Sequence, residues 1–150
     1  MRYFFYGTLM DDDVRRVVLG RRAPRTVTPA VLEGWGRVLV AGASYPAIVR
    51  RAGARVDGVL ARGIDAAAAR RLDRYEGAEY VAIEAEVRTS ARSTPVTAIV
   101  FVPRPGHVRT RAGKWDFDIW RRRRKRSFLA KLGAPPRATR AGAWGYERNP

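Results

Sequence analysis

Two short stretches of this 150-residue chain carry residue types that could act on a small molecule. The first is Tyr6-Gly7-Thr8-Leu9, placed between an aromatic run and the start of a helical pattern. A loop at such a junction presents backbone N–H groups that no helical partner takes up, and the helix dipole adds partial positive charge. Those groups suit a carboxylate or a phosphate. Gly7 opens backbone conformations closed to other residues and lets a ligand approach closely. The plain alternative is an ordinary strand-to-helix turn. There is no Walker glycine pattern and no GxGxxG, so a nucleotide phosphate is not indicated.

The second stretch is Leu72-Asp73-Arg74-Tyr75-Glu76-Gly77-Ala78-Glu79-Tyr80. Glu76 falls at a helix C-terminus, just before a glycine stop. The negative end of the dipole disfavours an ionised carboxylate there, and Tyr75 and Tyr80 could desolvate it. Both effects raise a carboxyl pKa, which suits a general acid and base near neutral pH. The alternative is a solvated helix-end residue. Glu79 reads as a salt-bridge or surface residue, and Tyr75 and Tyr80 as core aromatics.

Other chemistries drop out on composition. The chain has no cysteine, which excludes a disulfide framework, a thiol nucleophile and thiolate metal sites. Its single histidine, His107, rules out a histidine metal cluster and speaks against a Ser-His-Asp triad. That residue reads as part of a proline-bounded surface loop. No metal or cofactor is expected. No apolar run approaches the ~20 residues of a transmembrane helix, and the N-terminus lacks a signal-peptide pattern, so a cytoplasmic protein is expected.

The elements that must position the two stretches follow from periodicity. Arg2–Tyr6 is an aromatic, buried strand. Asp11-Asp12-Asp13 opens a helix with Val14, Val17 and Val18 on one face, ending at Gly20. Residues 21–30 read as irregular, because Pro24 and Pro29 exclude regular interiors. Val31–Trp35 and Arg37–Val40 are two strands, or one bent at glycine. Tyr45-Pro46 starts a short extended segment, and Arg55–Ile64 is another strand. Asp65 caps a helix over Ala66–Glu76, closed by Gly77. Val81, Ile83, Ala85 and Val87 alternate with polar neighbours in a half-buried strand. Thr97–Val102 is the next strand, and Asp116–Leu132 a last helix closed by Gly133. Helices and roughly six strands out of strict alternation argue for an α+β fold with a mixed sheet or small barrel.

Taken together, Tyr-Gly-Thr-Leu after an N-terminal aromatic strand, then Tyr45-Pro46, then Leu-Asp-x-Tyr-Glu-Gly-x-x-Tyr, resembles the γ-glutamylcyclotransferase-like family. The match is to its branch of AIG2-like and γ-glutamylamine cyclotransferase-like proteins, over about Tyr3–Trp120. The resemblance implies an α+β fold around a small mixed β-barrel. The domain is expected over residues 1–133, followed by an Ala-, Gly- and Pro-rich tail at 134–150 that reads as irregular. It implies that Tyr6, Gly7, Thr8 and Leu9 hold the amino-acid end of a γ-glutamyl group, and that Glu76 is the acid/base. The implied reaction is cofactor-free: a γ-glutamyl amide cyclises to 5-oxoproline and releases an amine or amino acid. One departure concerns a glycine–acidic–tryptophan stretch, here Gly113-Lys114-Trp115, where Lys114 replaces the acid. Trp115 walls the pocket or simply packs. A non-catalytic member that binds a small carboxylate or a protein partner is the alternative within the same fold.

The net charge of +16 suggests a further reading. Only three of the 30 basic residues are lysines, leaving 27 arginines, the bias of a GC-rich genome. Residues 1–100 carry a net +5 and residues 101–150 a net +11. The densest run is Arg121–Arg126, which goes right round a helix at ~100° per residue. Either that helix projects, or its inward arginines snorkel over apolar surface. Contact with nucleic acid through this run is an alternative role, but no recognised nucleic-acid-binding signature accompanies it.

Overall fold

In the computed structural model of the chain, residues 1–90 and 92–133 are described. The aromatic run near the N-terminus forms strand β1 (Tyr3–Phe5), and every residue of it is buried. Alternation along a strand sends neighbouring side chains to opposite faces. Phe4 and Tyr6 pack with the inner cluster, whereas Tyr3 and Phe5 pack with the helices. A strand buried on both faces must sit inside the sheet. β1 pairs antiparallel with β3 (Pro46–Ala61) and parallel with β5 (Val96–Pro103).

The remaining strands are β2 (Thr28–Val40), β4 (Tyr80–Val87) and β6 (Thr110–Arg111). The order is β4-β5-β1-β3-β2-β6, a mixed sheet as expected. It curls on itself. Val31 of β2 and Arg88, just past β4, exchange backbone hydrogen bonds of 2.8 and 3.0 Å. The result is a half-barrel filled by Phe4, Tyr6, Leu32, Trp35, Ile48, Val56, Leu60 and Val100. Gly58 is required inside it. A Cβ there would lie 2.3 Å from the Phe5 carbonyl oxygen and 2.6 Å from the Phe4 ring.

Four helices cover the outer face: α1 (Asp12–Leu19), α2 (Ala66–Glu76), α3 (Phe117–Arg123) and α4 (Lys125–Gly133). Asp65 caps α2 through the Ala68 N–H at 2.8 Å, and Gly77 closes it with φ +73°. α2 matches the sequence reading from end to end. The Tyr80–Val87 strand also alternates as expected, with Val87 buried and Glu84 and Glu86 exposed.

Other elements differ. Residues 21–30 are not wholly irregular, because Pro29 lies within β2 opposite Val59. There β2 has β3 on one side, and it first meets the β4 side at Val31, so a missing N–H is tolerated. The two halves of β2 are one strand, with a register shift between Glu33 and Trp35 at Gly34, φ +83°. Pro46 and residues 55–61 belong to one strand, β3, which pairs with β2 on both sides of that irregularity, while Tyr45 precedes it and residues 62–64, expected to continue the strand, lie past its end. Val14 and Val18 are buried as expected of the α1 face, but Val17 is exposed and Arg15 is buried in addition. The last helix is two helices, broken at Arg124. The break lets α3 bury Trp120 while α4 directs Lys125 to α1. Arg121, Arg122, Arg123, Arg124 and Arg126 all remain exposed. Arg121 lies over the Phe117 ring, 4.9 Å from its centre. Residues 134–150, read as an irregular tail, lie outside the described residues. Among the described residues no helix is long and apolar enough to cross a membrane.

Candidate active site

β1 delivers its chain to the outer end of the half-barrel, where Tyr6 to Leu9 leave the sheet. A 3₁₀ turn follows at once over Thr8–Met10. Its hydrogen bonds begin with Met10 N–H to Gly7 O at 2.9 Å and Asp11 N–H to Thr8 O at 3.0 Å. The amides of Gly7, Thr8 and Leu9 come before the first of these, so the turn itself takes up none of them. Asp11 is buried and caps α1 through the amides of Asp13 at 2.9 Å and Val14 at 3.2 Å. Gly7 has φ −127°, so its role is not a left-handed conformation. Its role is close approach, since a Cβ would stand 3.2 Å from Pro46 Cδ.

Three contacts hold this loop in place. Thr8 Oγ1 and the Tyr75 hydroxyl share a buried hydrogen bond of 2.6 Å, which ties the loop to the last turn of α2. The Tyr6 hydroxyl donates to Phe101 O on β5 at 2.6 Å. Arg15 of α1 reaches back and donates to Leu9 O at 2.8 Å and Met10 O at 2.7 Å, and it also pairs with Asp12. Burial pulls the Arg15 pKa below its ordinary value, and Asp12 offsets part of that. Sequence reasoning missed Arg15. An arginine among the valines of an amphipathic face was the available signal.

Glu76 is the last residue of α2. It is fixed by the Gly77 N–H to Asp73 O bond of 3.0 Å and by a turn into β4. Arg104 steadies that turn, its amide donating to Glu79 O at 2.7 Å and its Nε to Ala78 O at 3.1 Å. The hydrogen bond between Tyr75 and Thr8 then sets the helix end against the loop. Between them lies a cleft with about 660 Å³ of empty space, counting its open mouth. Its walls include Tyr6, Gly7, Thr8 and Leu9 from the loop, and Tyr75, Glu76 and Tyr80 from α2 and β4. Tyr45 and Pro46 close one side, Phe101 another, and Phe128 and Leu132 of α4 a third. Each of the five residues singled out from sequence therefore lines the same cleft.

The electrostatics separate the titratable groups. Burial drives the Tyr6 hydroxyl well above the usual phenol range, and the nearby Tyr80 and Glu76 push the same way while Arg37 opposes them. Tyr6 is therefore a neutral hydrogen-bond donor at any ordinary pH and no base. Glu76 is the one charged residue among the described residues of the cleft wall. Glu79 is not part of that wall. His107 is exposed, with its ring Nδ1 3.1 Å from Pro105 O. Trp115 is not in the wall either. It packs against Phe117 and Trp120, and its Nε1 donates to Ser44 O at 2.7 Å, which pins the corner that carries Tyr45 and Pro46.

Residues 3–117 match the family described as gamma-glutamyl cyclotransferase, AIG2-like. The chain belongs to the AIG2-like gamma-glutamyl cyclotransferase family. Its curated relatives include AIG2-like protein C of Arabidopsis thaliana, 32% identical over 126 residues, which are 84% of this chain and 72% of the relative. AIG2-like protein D of the same plant is 32% identical, over 84% of this chain and 82% of its own length. A solution structure of an Arabidopsis thaliana protein superposes with a TM-score of 0.64 at 29% identity, over 86% of this chain and 77% of that one. A solved structure named gamma-glutamyl cyclotransferase superposes with a TM-score of 0.60 at 17% identity, over 73% of this chain and 69% of that one, a likeness of fold alone. The curled sheet and its helices are thus those of gamma-glutamyl cyclotransferase-like proteins.

Proposed function

We propose that the chain is a γ-glutamyl cyclotransferase that converts a γ-glutamyl amide to 5-oxoproline and a free amine, with Glu76 as its acid and base. One observation carries this reading. Glu76 and the Tyr6–Leu9 loop, 67 or more residues apart in sequence, line one cleft and are joined beside it by Thr8 and Tyr75.

The substrate's α-carboxylate sits on the amides of the loop, which supply donors without a counter-cation. That grip bends the glutamyl chain so that its α-nitrogen meets its γ-carbonyl, which supplies the orientation term. The neutral α-amine attacks the γ-carbon, forming the ring C–N bond and a tetrahedral oxyanion, and passes one of its two protons to Glu76. Glu76 then gives the proton to the departing nitrogen as the original amide C–N bond breaks. The proton taken equals the proton returned, so the carboxylate ends as it began. Glu76 stands half-buried among the aromatic side chains of the cleft wall. Tyr6, locked to Phe101 O as a neutral phenol, shapes the site and takes no proton.

Isotope labelling tests the reaction type. In H₂¹⁸O, cyclisation releases 5-oxoproline with no solvent oxygen, whereas hydrolysis releases glutamate carrying one ¹⁸O. The proposal predicts unlabelled 5-oxoproline from γ-glutamyl amides, and labelled glutamate would refute it.

A further inference from the structure

We propose that the exposed arginines of α3 and α4 form a contact surface for the phosphate backbone of nucleic acid, separate from the cleft and blind to base sequence. The surface does not depend on the cyclotransferase reading. Between residues 109 and 131, ten basic residues meet two acidic ones, Asp116 and Asp118. Both acids are engaged. Asp116 caps α3 through the Ile119 amide at 2.9 Å, and Asp118 lies 3.1 Å from Arg121. Lys125 is held by Asp11 and Asp13 of α1. That leaves Arg122, Arg123, Arg124 and Arg126, all exposed and, among the described residues, in no salt bridge.

A bias toward arginine would by itself spread charge along the whole chain. Here Arg15, Arg16 and Arg22 each pair with an aspartate, and residues 1–100 carry a net +5 against +11 for residues 101–150. The fold sharpens the contrast. An unbroken helix would send the run right round its axis and turn several cations inward. The break at Arg124 turns in Lys125 and keeps five arginines outside.

The chemistry of this surface selects its partner. A membrane-binding helix needs an exposed apolar face beside its cations. Leu132 is buried and Phe128 and Leu129 pack on the core, which leaves Ile119 as the one exposed large hydrophobic residue of α3 and α4. A protein interface likewise needs an apolar or aromatic centre. A phosphate backbone needs neither, because guanidinium groups fork onto phosphate oxygens and counterion release drives association. Reading bases would take aromatic platforms or contacts to base edges. Trp115, Phe117 and Trp120 instead pack on one another, and Arg121 covers Phe117.

The test is binding of the full chain to a short labelled DNA duplex, an RNA duplex and a single strand, from about 50 to 200 mM salt. Four phosphate contacts give a slope of log K against log salt of about −3.6 on duplex DNA, so affinity should fall about 100-fold or more over that range. Replacing Arg122, Arg123, Arg124 and Arg126 together by Gln should remove about three units of that slope and weaken binding at the low-salt end by about 100-fold or more. Its melting temperature should stay near wild type. Unrelated duplex sequences should bind alike, and the tighter of the duplex and single-strand arms identifies the form that fits. A charge-matched control, Arg51, Arg55, Arg62 and Arg70 to Gln, should keep most of the affinity. No salt-dependent binding at the low-salt end would overturn the proposal, as would a slope unmoved in the α3–α4 variant. Equal loss in the control, strong preference for one sequence, or binding to phosphatidylserine vesicles without nucleic-acid binding would overturn it too.

Discussion

Tyr75→Phe removes one oxygen atom from the centre of the proposed site and nothing else. That oxygen shares a 2.6 Å hydrogen bond with Thr8 Oγ1, and both residues are about 94% buried, with relative exposures of 6%. A buried hydrogen bond contributes about 1 kcal/mol net, but a buried hydroxyl left without its partner costs about 1–3 kcal/mol. Tyr75→Phe should therefore destabilise the fold by roughly 2 kcal/mol. At about 3 °C per kcal/mol for a chain of this size, the melting temperature should fall by roughly 6 °C. Thr8→Val removes the other partner at nearly constant shape and should cost a similar amount. Once both hydroxyls are gone no polar atom of the pair is stranded, so the double variant should lose much less than the sum. A double-mutant cycle by chemical denaturation should give a coupling of about 1–2 kcal/mol. The same cycle run on kcat/KM should also show coupling, because the bond sets the loop against the end of α2 that carries Glu76. Additive stabilities, with a coupling near zero, would refute the claim that this bond joins loop and helix.

Three further outcomes follow from the packing. Arg15→Met strands the carbonyls of Leu9 and Met10 and should cost roughly 3 kcal/mol, with KM rising more than kcat falls as the loop loosens; Arg15→Lys should not fully rescue it, because Nη1 serves both carbonyls while Nη2 pairs with Asp12, and a single ammonium nitrogen cannot stand in both places. Gly58→Ala drives a Cβ into the Phe5 carbonyl and the Phe4 ring and should cost about 3 kcal/mol by thermal denaturation. The latch of Lys125 with Asp11 and Asp13 should be pH-dependent at both extremes. Lys125 lowers the Asp13 pKa from its ordinary 3.8, so that contribution is present above 3.8 and lost as pH falls through the depressed value. Asp11 and Asp13 raise the Lys125 pKa from 10.5, so its contribution is present below 10.5 and lost as pH rises through the raised value. Lys125→Met should flatten both limbs of a plot of melting temperature against pH.

What the sequence made legible was local. Asp65 and Gly77 mark the ends of α2 because a cap and a left-handed stop are decided by a few adjacent residues. The β1 aromatics mark a buried strand for the same reason. The candidate cleft was legible only through the pairing of two motifs, since neither Tyr6–Leu9 nor Glu76 stands out from its local alternative. What was not legible depends on distant partners. Pro29 joins a strand because of where β2 lies in the curl, which residues 21–30 do not record. β2 and β3 run as long strands because their pairing resumes past an irregularity, with Gly34 of β2 against residues 51–54 of β3. The break at Arg124 has no proline or glycine to announce it. It serves contacts of Lys125, Phe128 and Leu132 with residues far earlier in the chain. Arg15 was invisible as a brace because its partners are carbonyl oxygens, which every residue has.

The charge that first suggested nucleic acid sits apart from the cleft. Arg121, Arg122, Arg123, Arg124 and Arg126 are exposed, and Arg121 is occupied with Asp118 at 3.1 Å and with the Phe117 ring. Only Lys125 of that run turns inward, and its work is structural.

The central claim is that Glu76 moves the proton in a cyclisation gripped by the Tyr6–Leu9 loop. Glu76→Gln keeps the shape of the side chain and removes its ability to take and return a proton. The most direct measurement is 5-oxoproline release by this variant beside calorimetric binding of a γ-glutamyl amide. The account predicts a loss in kcat of about 100-fold or more, with affinity within a few-fold of wild type. Turnover close to wild type in Glu76→Gln would contradict it.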